Sequence, residues 1–301
     1  GPTITLSLAR SPHRGQRGLS VRMLSGKLEG SHAMNVDPTA TAGEPFLLSR
    51  RDGGITWLTL NRPARFNPLS SAMIAAIQAE LDAIAGDPSV RVVLLAAGGP
   101  GFCAGHDLKE MRAHAGDKAW QRRLFDDCSR MMMALTRLPQ PVIARVHGIA
   151  TAAGCQLVSM CDLAVAAETA AFALPGVNIG VFCTTPAVGV ARNVGRKRAM
   201  EMLLTGELFD ARTAHAWGLV NGVVPAGELD AAVQRFTDII LARSPAAIRL
   251  GKEAFYQQVD RPLAAAYEVA SETMACNLLL EDAAEGMDAF LQKRQAAWRG
   301  R

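Results

Sequence analysis

The sequence predicts an α/β fold built from strand–strand–helix units and closed by a helical C-terminal region. Three observations predict it: short alternating apolar runs joined by a glycine turn, helix-period runs that follow them, and continuous apolar runs of the kind a strand covered on both faces carries. Hydrophobic residues make up 49% of the 301-residue chain, enough for one large domain or two modest ones with a full core.

The elements follow in order. "FLLSRR" and "GITWLTLN" alternate as strands, joined at Asp52-Gly53-Gly54. "SSAMIAAIQAELDAIAG" has helical spacing, with Ser70 or Ser71 as N-cap and Gly86 as stop. "VRVVLLAA" reads as a buried strand, the glycine turn "GGPGFCAGHDL" follows it, and a long helix runs through "AWQRRLFDDCSRMMMALTRL". "PVIARV" is the next buried strand and leads into "GIATAAGCQLVSMCDLAV". Beyond "GLVNGVVP" the pattern is helical to the end, broken at Pro245 and Pro262. This divides the chain into a leading segment, 1–43, a core, 44–228, and a helical region, 229–301.

The formal charge of +4 lies in the leading segment, where residues 1–29 carry Arg10, Arg14, Arg17, Arg22 and Lys27 against Glu29 alone. Its composition suits a transit peptide, a disordered tail, or vector-derived sequence such as "GSHAM" ahead of a start at Met34. A bacterial cytoplasmic location is expected, or the mitochondrial matrix if residues 1–29 are a transit peptide. No apolar stretch approaches the ~20 residues of a membrane span. Aromatic residues are only 5%, too few for base stacking, and a nucleic-acid partner is not expected. The six cysteines lack CxxC or framework spacing and read as reduced thiols. No metal-ligand spacing and no phosphate-cradling glycine loop is present, so no metal and no tightly bound cofactor is expected.

Two loops share one design, a buried strand followed by small residues and a helix or turn: Phe102-Cys103-Ala104-Gly105-His106-Asp107 and Ala152-Ala153-Gly154-Cys155-Gln156. The free N–H groups at the start of the second helix favour negative charge. With an N–H from the first loop they could form a hole for a carbonyl oxygen that becomes negative. The same small residues also suit plain helix–sheet packing.

The landmarks "ITWLTLNRPARFNPLS", "FCAGHDLKEM", "PVIARVHGIATAAGCQL", "CDLAVAAETAAFALPGVNIG", "AMEMLLTGELFDARTAHAWGLVNGVVP" and "EGMDAFLQKR" stand in an order that resembles the enoyl-CoA hydratase/isomerase (crotonase) superfamily, from about Glu44 to Gln295. The resemblance implies a ClpP/crotonase-type spiral of ββα units with a C-terminal helical oligomerisation region, assembled as a homotrimer or dimer of trimers. It implies an acyl-CoA thioester as partner, with coenzyme A as part of the substrate. It places the two oxyanion N–H donors at His106 and Ala153. Ala64, Arg65 and Phe66, with Cys103 and Ala104, match backbone that holds the adenine of coenzyme A, and Lys293 matches a C-terminal basic residue that reaches its phosphates, often of a neighbouring subunit.

The same resemblance exposes a departure. Hydratases of the family carry two glutamates where this chain has Gln156 and Gly176. An amide can orient water but takes no proton near neutral pH, and glycine offers no side chain. A positioned acid or base supplies ~10²–10⁴-fold in rate, so ordinary hydration is expected to be weak while an enolate-stabilising site survives. Alternatives are a non-catalytic acyl-CoA binder and a CoA-ester hydrolase or decarboxylase. The His106 ring could act as a base or merely pack. Cys183 and Thr184 fall where some relatives place a second acid, with Cys183 as either nucleophile or buried filler. Asp107, Glu110, Asp126 and Asp127 read as solvated or capping groups, His147 as tying a turn, and Asp162 as satisfying backbone donors. An anion such as bicarbonate beside Gly176 could replace a lost carboxylate.

Overall fold

The computed structural model describes residues 43–301, and the expectations for residues 1–42, leader included, lie outside the described residues. The first unit is the hairpin β1 (Leu47–Asp52) and β2 (Ile55–Leu60), joined through Gly53 and Gly54, both at positive φ, followed by α1 (Ser71–Ala85). Ser70 is the N-cap of α1, its hydroxyl accepting the Met73 N–H at 3.2 Å. The second unit runs β3 (Val92–Ala97), α2 (Leu108–Ala113) and α3 (Lys118–Arg137), and the third β4 (Val142–Val146), β5 (Ala150–Thr151) and α4 (Ala153–Ser159). The short α2 had no periodicity to announce it. Next come β6 (Leu163–Ala167), β7 (Ala171–Ala173), α5 (Thr184–Asn193), α6 (Arg196–Thr205), β8 (Phe209–Asp210), α7 (Ala211–Ala216) and β9 (Gly222–Val224). Four helices end the chain: α8 (Leu229–Leu241), α9 (Pro245–Gln258), α10 (Leu263–Leu278) and α11 (Glu281–Leu291).

The main sheet has the order β1-β2-β3-β4-β6-β9, with only the β1–β2 pair antiparallel, and β5-β7-β8 form a second, three-stranded sheet. Alternation assigns each strand residue to one of two cores. Leu58, Leu60, Val93, Leu95, Val142 and Ala144 face α1, α3 and α4, whereas Ile55, Val92, Leu94, Ile143 and Val165 face Leu229 and Val233 of α8. Both faces of β3 are therefore covered, which is why its sequence is apolar throughout. Helix α8 thus belongs to the sheet, although it opens the segment 229–301. By contrast, α10 has no buried residue.

Helix α9 is tied down by charge. Lys252 of α9 donates to Leu135 O and Gln140 O, each at 2.9 Å, and to Asp162 Oδ2 at 2.6 Å. Tyr256 donates to Asp162 Oδ1 at 2.9 Å, and Asp162 also accepts the Val142 N–H at 2.7 Å. The backbone role expected of Asp162 is present, with an ion pair added to it.

Candidate functional site

The parallel strands β3 and β4 end side by side, so the two small-residue turns that follow them leave the sheet in contact. Phe102 and Cys103 both donate N–H groups to Ile149 O, at 3.0 and 3.1 Å, while Thr151 N–H donates to Cys103 O at 2.9 Å. The approach is close enough to exclude side chains. A Cβ on Gly154 would stand 2.1 Å from Cys103 O, and one on Gly105 would stand 2.9 Å from Ala152 Cβ and 3.3 Å from Ala153 N.

Two N–H groups are left over where the turns meet. Leu69 N–H donates to Gly105 O at 2.8 Å, and Asp107 N–H to Leu69 O at 3.4 Å, a parallel bridge centred on His106. In such a bridge the N–H of the central residue points away from the neighbouring segment, and that of His106 has no partner among the described residues. Ala153 is the first residue of α4, whose first internal bond is Gln156 N–H to Ala152 O, so its N–H is likewise unused among the described residues. The preceding Ala152 lies at φ 50, ψ −119, a geometry that type II′ turns reserve for glycine. Such strain costs about 1–3 kcal/mol and gathers at functional sites.

The His106 ring turns the other way. Its Nδ1 donates to Leu69 O at 3.2 Å, its edge meets Phe125 at a centroid distance of 5.3 Å, and its Nε2 is buried without a partner. Burial lowers its pKa below the usual histidine value and keeps the ring neutral. The imidazole is thus engaged with Leu69 and Phe125, while the main-chain N–H of His106 has no partner among the described residues.

Gln156 is 4% exposed, and its Oε1 is buried without a partner. Gly176 sits in the 3-10 turn Pro175–Ile179, and a Cβ there would stand 2.7 Å from Val181 O and 2.9 Å from Cys183 Sγ. A side chain at this position would therefore meet protein atoms at its first carbon. Burial raises the pKa of the Cys183 thiol, against a smaller opposing effect of its hydrogen bond with the Gly176 backbone. This thiol is buried and protonated, as the filler reading expects.

Ala64 and Arg65 lie in the 3-10 turn Pro63–Arg65, which ends at Phe66 with φ 57. Ala104 N–H donates to Phe66 O at 2.9 Å, so the turn that ends at Phe66 and the Cys103–Ala104 backbone are in direct contact. Cys103 contributes backbone only, its buried thiol being pushed up to about 12. Lys293, exposed at φ 55 just beyond α11, makes no hydrogen bond or ion pair with these residues. His147 Nε2 donates to Gly99 O at 2.8 Å and ties the first turn, as expected of it.

One organising residue and one ion pair escaped the sequence reading. Asn67, fully buried at φ 51, donates from Nδ2 to Gly98 O at 2.9 Å and Gly101 O at 3.0 Å, and accepts Arg62 N–H at 2.8 Å. It joins the Pro63–Asn67 loop to the first turn, and its only sequence signal is the Asn-Pro dipeptide that marks a turn. Arg65 Nη2 meets Asp107 Oδ2 at 2.7 Å, while Asp107 caps α2 by accepting Lys109 and Glu110 N–H groups. The capping role of Asp107 was expected, its pairing with Arg65 was not.

Residues 50–301 match a family model described as enoyl-CoA hydratase/isomerase. The mouse protein named enoyl-CoA hydratase domain-containing protein 3, mitochondrial, is 43% identical over 262 residues, 87% of each chain. The 2,3-dehydroadipyl-CoA hydratase of Escherichia coli K12 is 35% identical over 260 residues, covering 85% of this chain and 99% of that one. Among solved structures, an enoyl-CoA hydratase of Mycobacterium smegmatis superposes with a TM-score of 0.83 at 53% identity, over 85% of this chain and 99% of the other. Human enoyl-CoA hydratase domain-containing protein 3 superposes with a TM-score of 0.82 at 43% identity, over 85% and 100%.

Proposed function

The chain belongs to the enoyl-CoA hydratase/isomerase family, with the branch of enoyl-CoA hydratase domain-containing protein 3, and from that premise we propose that it binds an acyl-CoA thioester and stabilises its enolate. The observation that carries this reading is the pair of unused N–H groups of His106 and Ala153 on two abutting turns. Donors held in place before reaction lose little to reorganisation as the thioester oxygen gains charge, and removing one such donor typically costs ~10²–10³-fold. The half-helix of α4 adds positive potential at the same point. Adenine would lie along Ala64–Phe66 and Cys103–Ala104, with Lys293 of this or a neighbouring subunit on the phosphates.

Ordinary hydration would be weak, because water is activated in two-glutamate hydratases by carboxylates that Gln156 and Gly176 do not supply. The absence of a carboxylate at both positions gives weight to a second reading, a binder that holds the thioester without turnover. Deuterium exchange at the α-carbon of a saturated acyl-CoA in D2O separates the two. A mass gain accelerated by the protein supports enolate formation, whereas saturable binding without exchange supports the binder. A hydration turnover of crotonyl-CoA equal to that of a two-glutamate relative would overturn the weak-hydratase assignment.

The apolar exposure of the C-terminal helices suits assembly as a homotrimer or dimer of trimers. Leu263, Leu279 and Phe290 are 75%, 87% and 83% exposed. Sedimentation of the intact chain reads the oligomeric state directly, and a monomer at micromolar concentration would count against it.

A further inference from the structure

The unused N–H of His106 sits just after a pivot. Gly105, the residue before it, stands at φ 94, and the missing Cβ permits a wide range of backbone angles there. The direction of the His106 N–H therefore depends on how the chain is fixed on either side. Gly105 O is held firmly, accepting Leu69 N–H at 2.8 Å, but the Asp107 N–H reaches Leu69 O only at 3.4 Å. The main-chain ties between 66–69 and 104–107 are thus loosest directly after His106.

The Asp107 side chain closes that end. Its Oδ1 accepts the Lys109 N–H at 3.0 Å and the Glu110 N–H at 3.4 Å, whereas its Oδ2 meets Arg65 Nη2 at 2.7 Å. The carboxylate is buried, Asp107 being 8% exposed, and Arg65 is its one ion-pair partner among the described residues. Without that cation, two amide donors would be left for a group with about four acceptor sites, in surroundings that disfavour bare charge.

The pair spans 42 positions and joins two turns. Arg65 closes the 3-10 turn Pro63–Arg65, and Asp107 directly follows His106. Asn67 ties the same loop to Gly98 O and Gly101 O, but those bonds reach the beginning of the first turn. The end beside His106 is left to Arg65.

We propose that Arg65 and Asp107 are positioning residues that couple the nucleotide end of coenzyme A to the His106 N–H. A nucleotide seated on residues 63–66 steadies Arg65, Arg65 steadies the Asp107 carboxylate, and the peptide after Gly105 loses its freedom. The inference rests on the acyl-CoA reading and adds to it a route between the two ends of the substrate. Binding energy from the part that does not react is used to orient a donor at the part that does.

The test is amide hydrogen exchange of the full chain, read by mass spectrometry over peptides covering 63–69 and 104–113, without and with saturating adenosine 3′,5′-bisphosphate. In the parent the nucleotide should slow exchange in both segments. Asp107→Asn keeps an N-cap side chain for α2 and removes the ion pair, and Arg65→Gln removes the pair from the other side. At saturating nucleotide each variant should keep the slowing at 63–69 and lose at least about 3-fold of it at 104–113, the scale of a charge-assisted pair with one exposed partner. Arg65→Lys, which restores the charge, should recover part of that loss. A role in folding alone would lower the melting temperature without separating the two segments. Slowing at 104–113 that is equal in the parent and both variants would overturn the proposal, as would slowing confined to 63–69 in the parent. Absence of slowing in both segments of the parent would overturn the acyl-CoA reading itself, and the proposal with it.

Discussion

The thiol of Cys183 stands where a side chain at position 176 would begin, its Sγ 2.9 Å from the place of a Cβ on Gly176. The Val181 carbonyl oxygen, at 2.7 Å, and the Cys183 N–H, at 3.2 Å, close the same space, so replacing the cysteine alone does not open it. On the proposed weak-hydratase reading, restoring the two glutamates would not by itself rebuild a hydratase. Gly176→Ala should cost about 1–3 kcal/mol by overpacking, read as a lowered denaturant midpoint. Gln156→Glu with Gly176→Glu should leave crotonyl-CoA hydration at least ~10²-fold below a two-glutamate relative, because the second carboxylate would be displaced from its position. Recovery of full turnover in the double variant would show that residues 181–183 yield readily.

Ala152 offers a test of the strained turn. Glycine adopts its φ of 50 and ψ of −119 without a Cβ penalty, though glycine also releases more backbone entropy on unfolding. Strain relief of about 1–3 kcal/mol outweighs an entropy cost of about 0.5–1 kcal/mol. Ala152→Gly should therefore raise the melting temperature by a few degrees, as ~1 kcal/mol shifts a chain of this size by ~2–4 °C, and Ala152→Val should lower it. Calorimetry of both variants decides the matter.

Much of this architecture was legible in the sequence, for reasons particular elements make plain. The continuous apolar run of β3 and the small residues at Gly105 and Gly154 are local records of burial on two faces and of backbone contact. The crotonase-type order of motifs carried the fold class. What stayed hidden depends on distant partners. Asn67 is an ordinary turn residue until Gly98 and Gly101 arrive, Lys252 is an ordinary helix lysine until Asp162 meets it 90 positions away, and the glycine at 176 gives no sign that Cys183 fills its space. The His106 ring could be read as base or packing from its motif, and only the bond to Leu69 O turns it away.

The Asp162–Lys252 pair predicts an asymmetry between single and double substitution. The two side chains are 16% and 7% exposed, and burial lowers the Lys252 pKa while the Asp162 charge opposes that shift. Removing one partner of a buried pair leaves an uncompensated charge and costs about 3–5 kcal/mol. Lys252→Met should lose that much in chemical denaturation, and the double variant Asp162→Asn, Lys252→Met should recover part of it. Equal losses in the single and double variants would mean that the carbonyls of Leu135 and Gln140, and not the carboxylate, dominate the anchor of α9.

Two neutral histidines set a stability limit on the acid side. His106 and His147 both have lowered pKa values, in each case first by burial, with hydrogen bonds to the carbonyls of Leu69 and Gly99 opposing. Their other ring nitrogens, Nε2 of His106 and Nδ1 of His147, are buried without partners, so a proton there would be a poorly compensated charge. The sign follows from proton counts. Below about pH 6.5 the unfolded chain protonates both rings while the folded chain does not, so the unfolded state binds more protons and stability falls as pH falls. The loss begins as pH drops through the unfolded value and levels off once the folded rings protonate too. Above about pH 7 the two rings contribute no slope. Denaturation midpoints measured from pH 8 to pH 5 should decline below 6.5, and His147→Gln should flatten the decline. A profile that is level from pH 7 to 5 would mean that these rings are protonated at no cost, and the neutral, Leu69-bound state of His106 beside the two turns would have to be abandoned.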